Sequence, residues 1–218
     1  MQKEGYGLHG SQAYNVQILA TEEQFIHCQV TTMQDIQKFY ITYIYGANQE
    51  GQRRVLWEAL EDIAAGMEEG WCILGDFNSI LYSGDRMGGM EIHTDKIKPL
   101  NDYINKCEVQ ELRSIGPYFT WTNKIVWTRI DRAFVNTLWY DLFDFSQVVY
   151  MTNSLSDHTA LVIDTSSALD PPSYFNFVTC GLGMPLLCHW LHHIFLQLPS
   201  SKGLSLACIG SCPTPEKV

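Results

Sequence analysis

Four short segments carry the side chains best suited to chemistry. In Trp71–Asn78 an apolar run ends in Gly75-Asp76-Phe77-Asn78. On an extended strand alternate side chains share a face, so Asp76 and Asn78 can point into one cleft. The acid can orient and deprotonate a water, and the neutral amide can donate to phosphoryl oxygens without repelling them. In Ser156-Asp157-His158 the acid and the imidazole are adjacent and face opposite ways on extended backbone, so they are expected to serve different partners. Arg129-Ile130-Asp131-Arg132 offers Asp131 as an acceptor that can hold an imidazole in one tautomer. Tyr45-Gly46-Ala47-Asn48 places a phenol and an amide at a strand end, where both can touch phosphate. Each segment also has an ordinary structural reading: a Gly-Asp turn, a polar turn before a strand, a surface ion pair of Asp131 with Arg129 or Arg132, and a half-buried aromatic.

The elements that must position these residues follow from periodicity. Gln24–Val30 and Phe39–Tyr45 read as strands, with a turn over Asp35–Lys38 that makes them a hairpin. Leu56, Leu60, Ile63 and Met67 recur at helical spacing and predict a helix over 52–69, stopped by Gly70. Trp71–Leu74 reads as a buried strand. A glycine-rich loop follows, then a helix over 98–107 with Pro99 in its first turn and Leu100, Ile104 and Cys107 facing the core. Four further strands are expected over 118–122, 126–135, 147–150 and 160–164. The sum is a layered α/β protein with helices outside its sheets.

Composition narrows the function classes. The chain has 218 residues, 46% of them hydrophobic, enough for a sizeable core. Its formal charge of −10 fits poorly with tight unaided binding to DNA and better with carboxylates that hold a divalent cation against phosphate. Seven cysteines, among them Cys28, Cys72 and Cys107, show no paired spacing over the first part of the chain. That and the absence of an apolar leader at Met1 point to a reducing compartment, with no targeting signal. Beyond Thr165 the charges thin out. The uncharged stretch 180–198 contains Pro185, His189, His192 and His193, which argues against a membrane span. Cys188, His192, Cys208 and Cys212 match no zinc-binding spacing.

The motifs occur in a telling order: Tyr45-Gly46-Ala47-Asn48, Gly75-Asp76-Phe77-Asn78, Thr120-Trp121-Thr122-Asn123, Arg129-Ile130-Asp131-Arg132 and Ser156-Asp157-His158. Together they resemble the endonuclease/exonuclease/phosphatase superfamily, which includes apurinic endonucleases and pancreatic deoxyribonuclease. The endonuclease domain of plant LINE-type retrotransposons is the branch most similar, through Gln24–Cys28, Arg54 with Leu56-Trp57, and Thr120–Asn123. The resemblance implies a four-layer α/β sandwich, two packed sheets flanked by helices, incomplete at the N-terminus. It covers residues 24–165, with 1–23 as a non-matching segment and 166–218 as a tail without a recognisable fold.

The resemblance also implies roles. Asp76 would activate or orient the attacking water, and Asn78 would help bind phosphate. His158 would contact the scissile phosphate and Asp131 would orient it. Tyr45 and Asn48 would touch phosphate oxygens, and Asp157 would belong to the metal-linked acidic cluster. The cation would be Mg²⁺, with Mn²⁺ as a substitute, the partner DNA, and no membrane or small-molecule cofactor would be involved. DNA as substrate would place the protein in the nucleus. A phosphatase acting on phosphorylated lipids or sugars belongs to the same superfamily, but the retrotransposon-like segments favour the nuclease. Family members open with a strand carrying asparagine and another ending in a metal-binding glutamate, and neither is recognisable before Gln24. The expectation is therefore a shortened domain, with a catalytically silent remnant or binding fold as the alternative to an active enzyme.

Overall fold

The computed structural model describes residues 14–32, 37–90, 92–151, 156–165, 194–197 and 205–208. In chain order these form β1 (Tyr14–Thr21), β2 (Phe25–Thr32), β3 (Lys38–Tyr45), α1 (Glu50–Ala65) and β4 (Gly70–Asp76). A loop holding β5 (Arg86–Met87) leads to α2 (Lys98–Lys106). The short strands β6 (Gln110–Glu111), β7 (Ser114–Ile115), β8 (Trp121–Thr122) and β9 (Trp127–Thr128) precede β10 (Asp131–Val135) and α3 (Thr137–Leu142). The chain then forms β11 (Gln147–Met151), β12 (Ala160–Asp164), β13 (Ile194–Gln197) and β14 (Ser205–Cys208).

A six-stranded sheet runs β1-β2-β3-β4-β10-β6, and a five-stranded one runs β13-β14-β12-β11-β7. β4 shows how they stack. All seven of its residues are buried, as its unbroken apolar run requires. Cys72 and Leu74 face a core shared with Val148, Tyr150, Leu161 and Ile163 of the second sheet. Trp71 and Ile73 point the other way, onto Leu56, Trp57 and Leu60 of α1 and Leu100 and Tyr103 of α2. Side-chain alternation along one strand thus builds helix, sheet and sheet layers of an α/β sandwich. Each large apolar side chain buried this way contributes about 1.5–3 kcal/mol.

β2 and β3 pair antiparallel, as the hairpin reading expects. Several boundaries differ. α1 ends at Ala65, because Gly66 takes the cap position: its N–H donates to the Ile63 carbonyl, and that of Met67 to the Ala64 carbonyl. Gly70 instead opens β4, where a Cβ would lie 2.8 Å from Leu142 Cδ1. The expected long strand over 126–135 breaks at Arg129-Ile130. There the Thr120 hydroxyl takes the Ile130 and Asp131 N–H groups, and the Asp85 carbonyl takes that of Arg129.

Two segments read as lying outside the fold contribute strands. β1 pairs with β2 through a bulge between Ile18 and Ala20, its Val16-Gln17-Ile18 alternation being short but sufficient for an edge. In the tail, β14 pairs with β12 and β13 with β14, so residues 166–218 are not wholly without fold. Cys188, His192 and Cys212 of the considered zinc set lie outside the described residues. No helix among the described residues is long and apolar enough to cross a membrane. Cys28, Cys72 and Cys107 are buried free thiols.

Candidate active site

Strand register assembles the centre of the site. β3 and β4 run parallel, so their carboxyl-terminal ends emerge together with Tyr45 beside Asp76. β10 runs antiparallel to β4 and begins at the same level, with Asp131 opposite Asp76. Tyr45, Asp76 and Asp131 therefore form one row across three neighbouring strands. Gly75 makes this close approach possible. Its φ is +136°, and a Cβ there would sit 2.1 Å from the Ile44 carbonyl oxygen.

Asn78 reaches the cleft by a different route from the one expected. β4 ends at Asp76, and Asn78 adopts a left-handed backbone (φ 47°), which asparagine tolerates. Its backbone N–H donates to Asp76 Oδ1 at 2.8 Å, and its side-chain amide to Gly46 O at 2.8 Å and Asn48 Oδ1 at 3.0 Å. Both amide hydrogens are thereby engaged in holding the Tyr45–Asn48 turn.

His158 arrives from the second sheet, just before β12. It is bridged to Trp121 of β8, and its Nδ1 lies 3.0 and 3.1 Å from the two Asp131 oxygens. Asp157 accepts the Trp121 Nε1–H at 3.0 Å. The arginines flanking Asp131 do not pair with it. Both are buried, Arg129 on Glu111 and Arg132 on Glu111 and Asp85, so the surface ion pair considered from sequence does not form. A cavity of about 810 Å³ opens over these groups, lined by Tyr45, Asn48, Asp76, Asn78, Asp157 and His158 among others. Asp131 lies behind His158 and is not part of the lining.

The sequence profile of the Endonuclease/Exonuclease/phosphatase family matches residues 16–158, more than half of the chain. The chain belongs to this family. Among solved structures it is similar to the endonuclease domain of TRAS1, a telomere-specific non-LTR retrotransposon. That match has 16% identity and a TM-score of 0.54, and covers 69% of this chain and 66% of that one. A functionally unknown conserved protein from Enterococcus faecalis V583 matches at 18% identity and TM-score 0.40, covering 63% and 53% of the two chains. A mannosyl-6-phosphatase from Bacteroides thetaiotaomicron VPI-5482 matches at 11% identity and TM-score 0.39, covering 85% and 55%. At these identities the likeness is one of fold. The chain spans just under two thirds of the length of the first of these and about half of the other two. No curated protein matches it.

Burial and proximity set the charges in this endonuclease/exonuclease/phosphatase site. Removal from water pushes the Asp76 carboxyl up to about 7, with the Asp131 charge adding to the shift and His158, the Asn78 N–H and Arg53 opposing it. Burial disfavours a charged His158. The Asp131 hydrogen bond and charge outweigh that, helped by Asp76 and Asp157, and raise the imidazole to about 9. Burial first, then Asp76 and Asp157, raises the Tyr45 phenol, so it stays a donor.

One ligand atom each of Asp76, Asp131 and His158 lies within 4.8 Å of the others. Asp131 directs both oxygens at the imidazole, so we read Asp131–His158 as a dyad rather than as two metal ligands. Asp76 and Asp157 both line the cavity, and carboxylate oxygens are the ligands that a hard cation takes.

Sequence reasoning missed three contributors. Arg53 donates from Nη1 to the Ala47 and Asn48 carbonyls at 2.7 and 3.1 Å. Gln24 accepts the Ala47 N–H at 2.7 Å, so the Tyr45–Asn48 turn is held from both sides. Thr120 fixes the start of β10. A signal existed for Arg53: it shares the buried stripe of α1 with Leu56, Trp57 and Leu60, an unusual place for a charge.

Proposed function

We propose that the chain is a divalent-metal-dependent phosphodiesterase of endonuclease type, derived from a retrotransposon, that nicks DNA. The observation that carries this reading is the buried Asp131–His158 dyad set beside Asp76 at an acidic cavity. Asp76, whose carboxyl titrates near neutrality, orients a water and takes its proton as the water oxygen attacks phosphorus. The bond to the oxygen opposite then breaks, in line. His158, cationic at neutral pH, faces the negative charge that builds on the phosphoryl oxygens. Asp131 holds the ring and its tautomer. The Tyr45 phenol and the Asn48 amide donate to phosphate oxygens. Asn78, its amide engaged, positions Asn48. Asp157, in the lining of the same cavity, would hold Mg²⁺ or Mn²⁺, which would offset charge on the leaving oxygen.

The test is a plasmid-nicking assay in Mg²⁺ with the parent chain, Asp76→Ala and His158→Ala. Nicking by the parent that disappears in both variants and in EDTA supports the reading. Equal background in all three supports a catalytically silent fold. Phosphate release from small phosphoesters with intact plasmid supports a phosphatase.

A further inference from the structure

Resting on the reading above, we propose that Arg86 binds a second phosphate of the nucleic acid, beyond the one that reacts beside His158. A chain of net charge −10 with Asp76 and Asp157 in the cleft repels a polyanion, so the neighbouring phosphates of the strand need a cation on the cavity wall. Three lysine or arginine side chains line that wall: Arg53, Arg86 and Lys96. Arg53 is buried and donates to two backbone carbonyls. Lys96 is paired with Glu50 at 2.5 Å. Arg86 is exposed and, among the described residues, has neither an ion pair nor a hydrogen bond from its side chain. Of these three side chains it is the one left with its donors available.

The position is built rather than incidental. Arg86 stands in the small sheet β5-β9-β8, paired with Thr128, and not on the sheet ends that carry Asp76 and Asp131. The preceding residue, Asp85, is fully buried. Its carboxylate accepts the Leu81 and Tyr82 N–H groups at 2.7 Å and the Tyr118 hydroxyl at 2.7 Å, and it is ion-paired with Arg132. Its carbonyl takes the Arg129 N–H at 2.8 Å. The backbone beneath Arg86 is thus anchored from several sides. Gly89 lies under the guanidinium. A Cβ there would come within 3.0 Å of Arg86 Nη2, and the residue has a φ of +75°, so the absence of a side chain leaves the planar group its place. A guanidinium on an anchored backbone, with its donors unengaged among the described residues, suits two-point contact with phosphate.

Binding of fluorescent duplex DNA, measured over a range of salt concentrations in Ca²⁺, tests this, with nicking measured in Mg²⁺. Arg86→Ala should weaken DNA binding by about fivefold, as expected for one exposed ion pair. It should also lower the slope of log affinity against log salt by about 0.9, one phosphate contact. Arg86→Lys should keep most of the slope, and thermal melts of both exposed-site variants should overlay the parent's. A parent that nicks DNA while Arg86→Ala keeps affinity and slope overturns this inference alone. An equal loss of turnover on bis(p-nitrophenyl) phosphate, which carries a single phosphate, also overturns it, since Arg86 would then serve the reacting group. A parent that neither binds nor nicks DNA overturns the reading beneath it and this inference with it.

Discussion

Two histidines are buried to the same degree, 6% exposed each, and end in opposite charge states. His27 on β2 sets its Nδ1 2.8 Å from the Thr42 hydroxyl and stacks on Tyr40. Its partner is neutral, and burial pushes the imidazole below its usual value. His158 meets a carboxylate and is raised to about 9. Burial alone therefore does not set protonation. The formal charge of the partner does, and the partner is chosen by the tertiary fold. Of these two, His158 is the one that lines the cavity, and it is the one given a charge.

The strongest way to break this contrast is to remove the charge of the partner. Asp131→Asn and His158→Ala should each lower nicking by roughly 10²–10³-fold, the usual worth of a preorganised group facing developing charge. His27→Gln should leave the rate within a few-fold. A plasmid assay with matched, folded protein decides it. If Asp131→Asn nicks like the parent, the dyad has no catalytic part.

A second measurement follows the charges themselves. In metal-free protein, ring-proton NMR should show His158 falling from about 9 toward the ordinary imidazole value of 6.5 in Asp131→Asn, while His27 stays put. Linkage gives the stability consequence. The His158 pKa is raised on folding, so its contribution is full below pH 6.5 and fades as pH climbs through about 9. Asp76 acts in the same sense at lower pH, its contribution being full below 3.8 and lost as pH rises through about 7. His27 acts oppositely. Its pKa is lowered, so the unfolded chain binds more protons and stability is lost as pH falls below about 6.5. Urea midpoints across pH 4–10 should show the decline between about pH 7 and 9 vanish in His158→Asn, while the Asp76 decline up to about 7 remains.

Thr42→Val sharpens the other half of the comparison. The Thr42 hydroxyl serves both His27 Nδ1 and, at 2.8 Å, the Trp71 indole N–H. Its removal should cost about 1–3 kcal/mol of stability by denaturant titration, with nicking intact. The smallest effect belongs to a pair with no burial to strengthen it. Breaking Arg54–Glu58, exposed on α1, should change stability by no more than about 0.5 kcal/mol.

Local pattern was enough for much of this molecule. The apolar run into Gly75-Asp76, the β2–β3 hairpin and the stripe of α1 are readable because strand and helix periods appear within a few residues of one another. Residues whose chemistry is declared by type, such as Asp76 and His158, were legible for the same reason. β1 was missed because an edge strand needs only a short apolar alternation. The break in the 126–135 strand was missed because its cause, the Thr120 hydroxyl and the Asp85 carbonyl, lies elsewhere in the chain.

The amino-acid order by itself determined which side chains could do chemistry and which strand ends would carry them. Only the tertiary structure decided who faces whom: Asp131 on His158, Asp157 on Trp121, Arg132 on Asp85, and Arg53 beneath the Asn48 turn. The physical reason is that a pKa or a buried ion pair depends on distance and solvent exclusion. Both are set by packing between elements far apart in the chain, which no local pattern encodes.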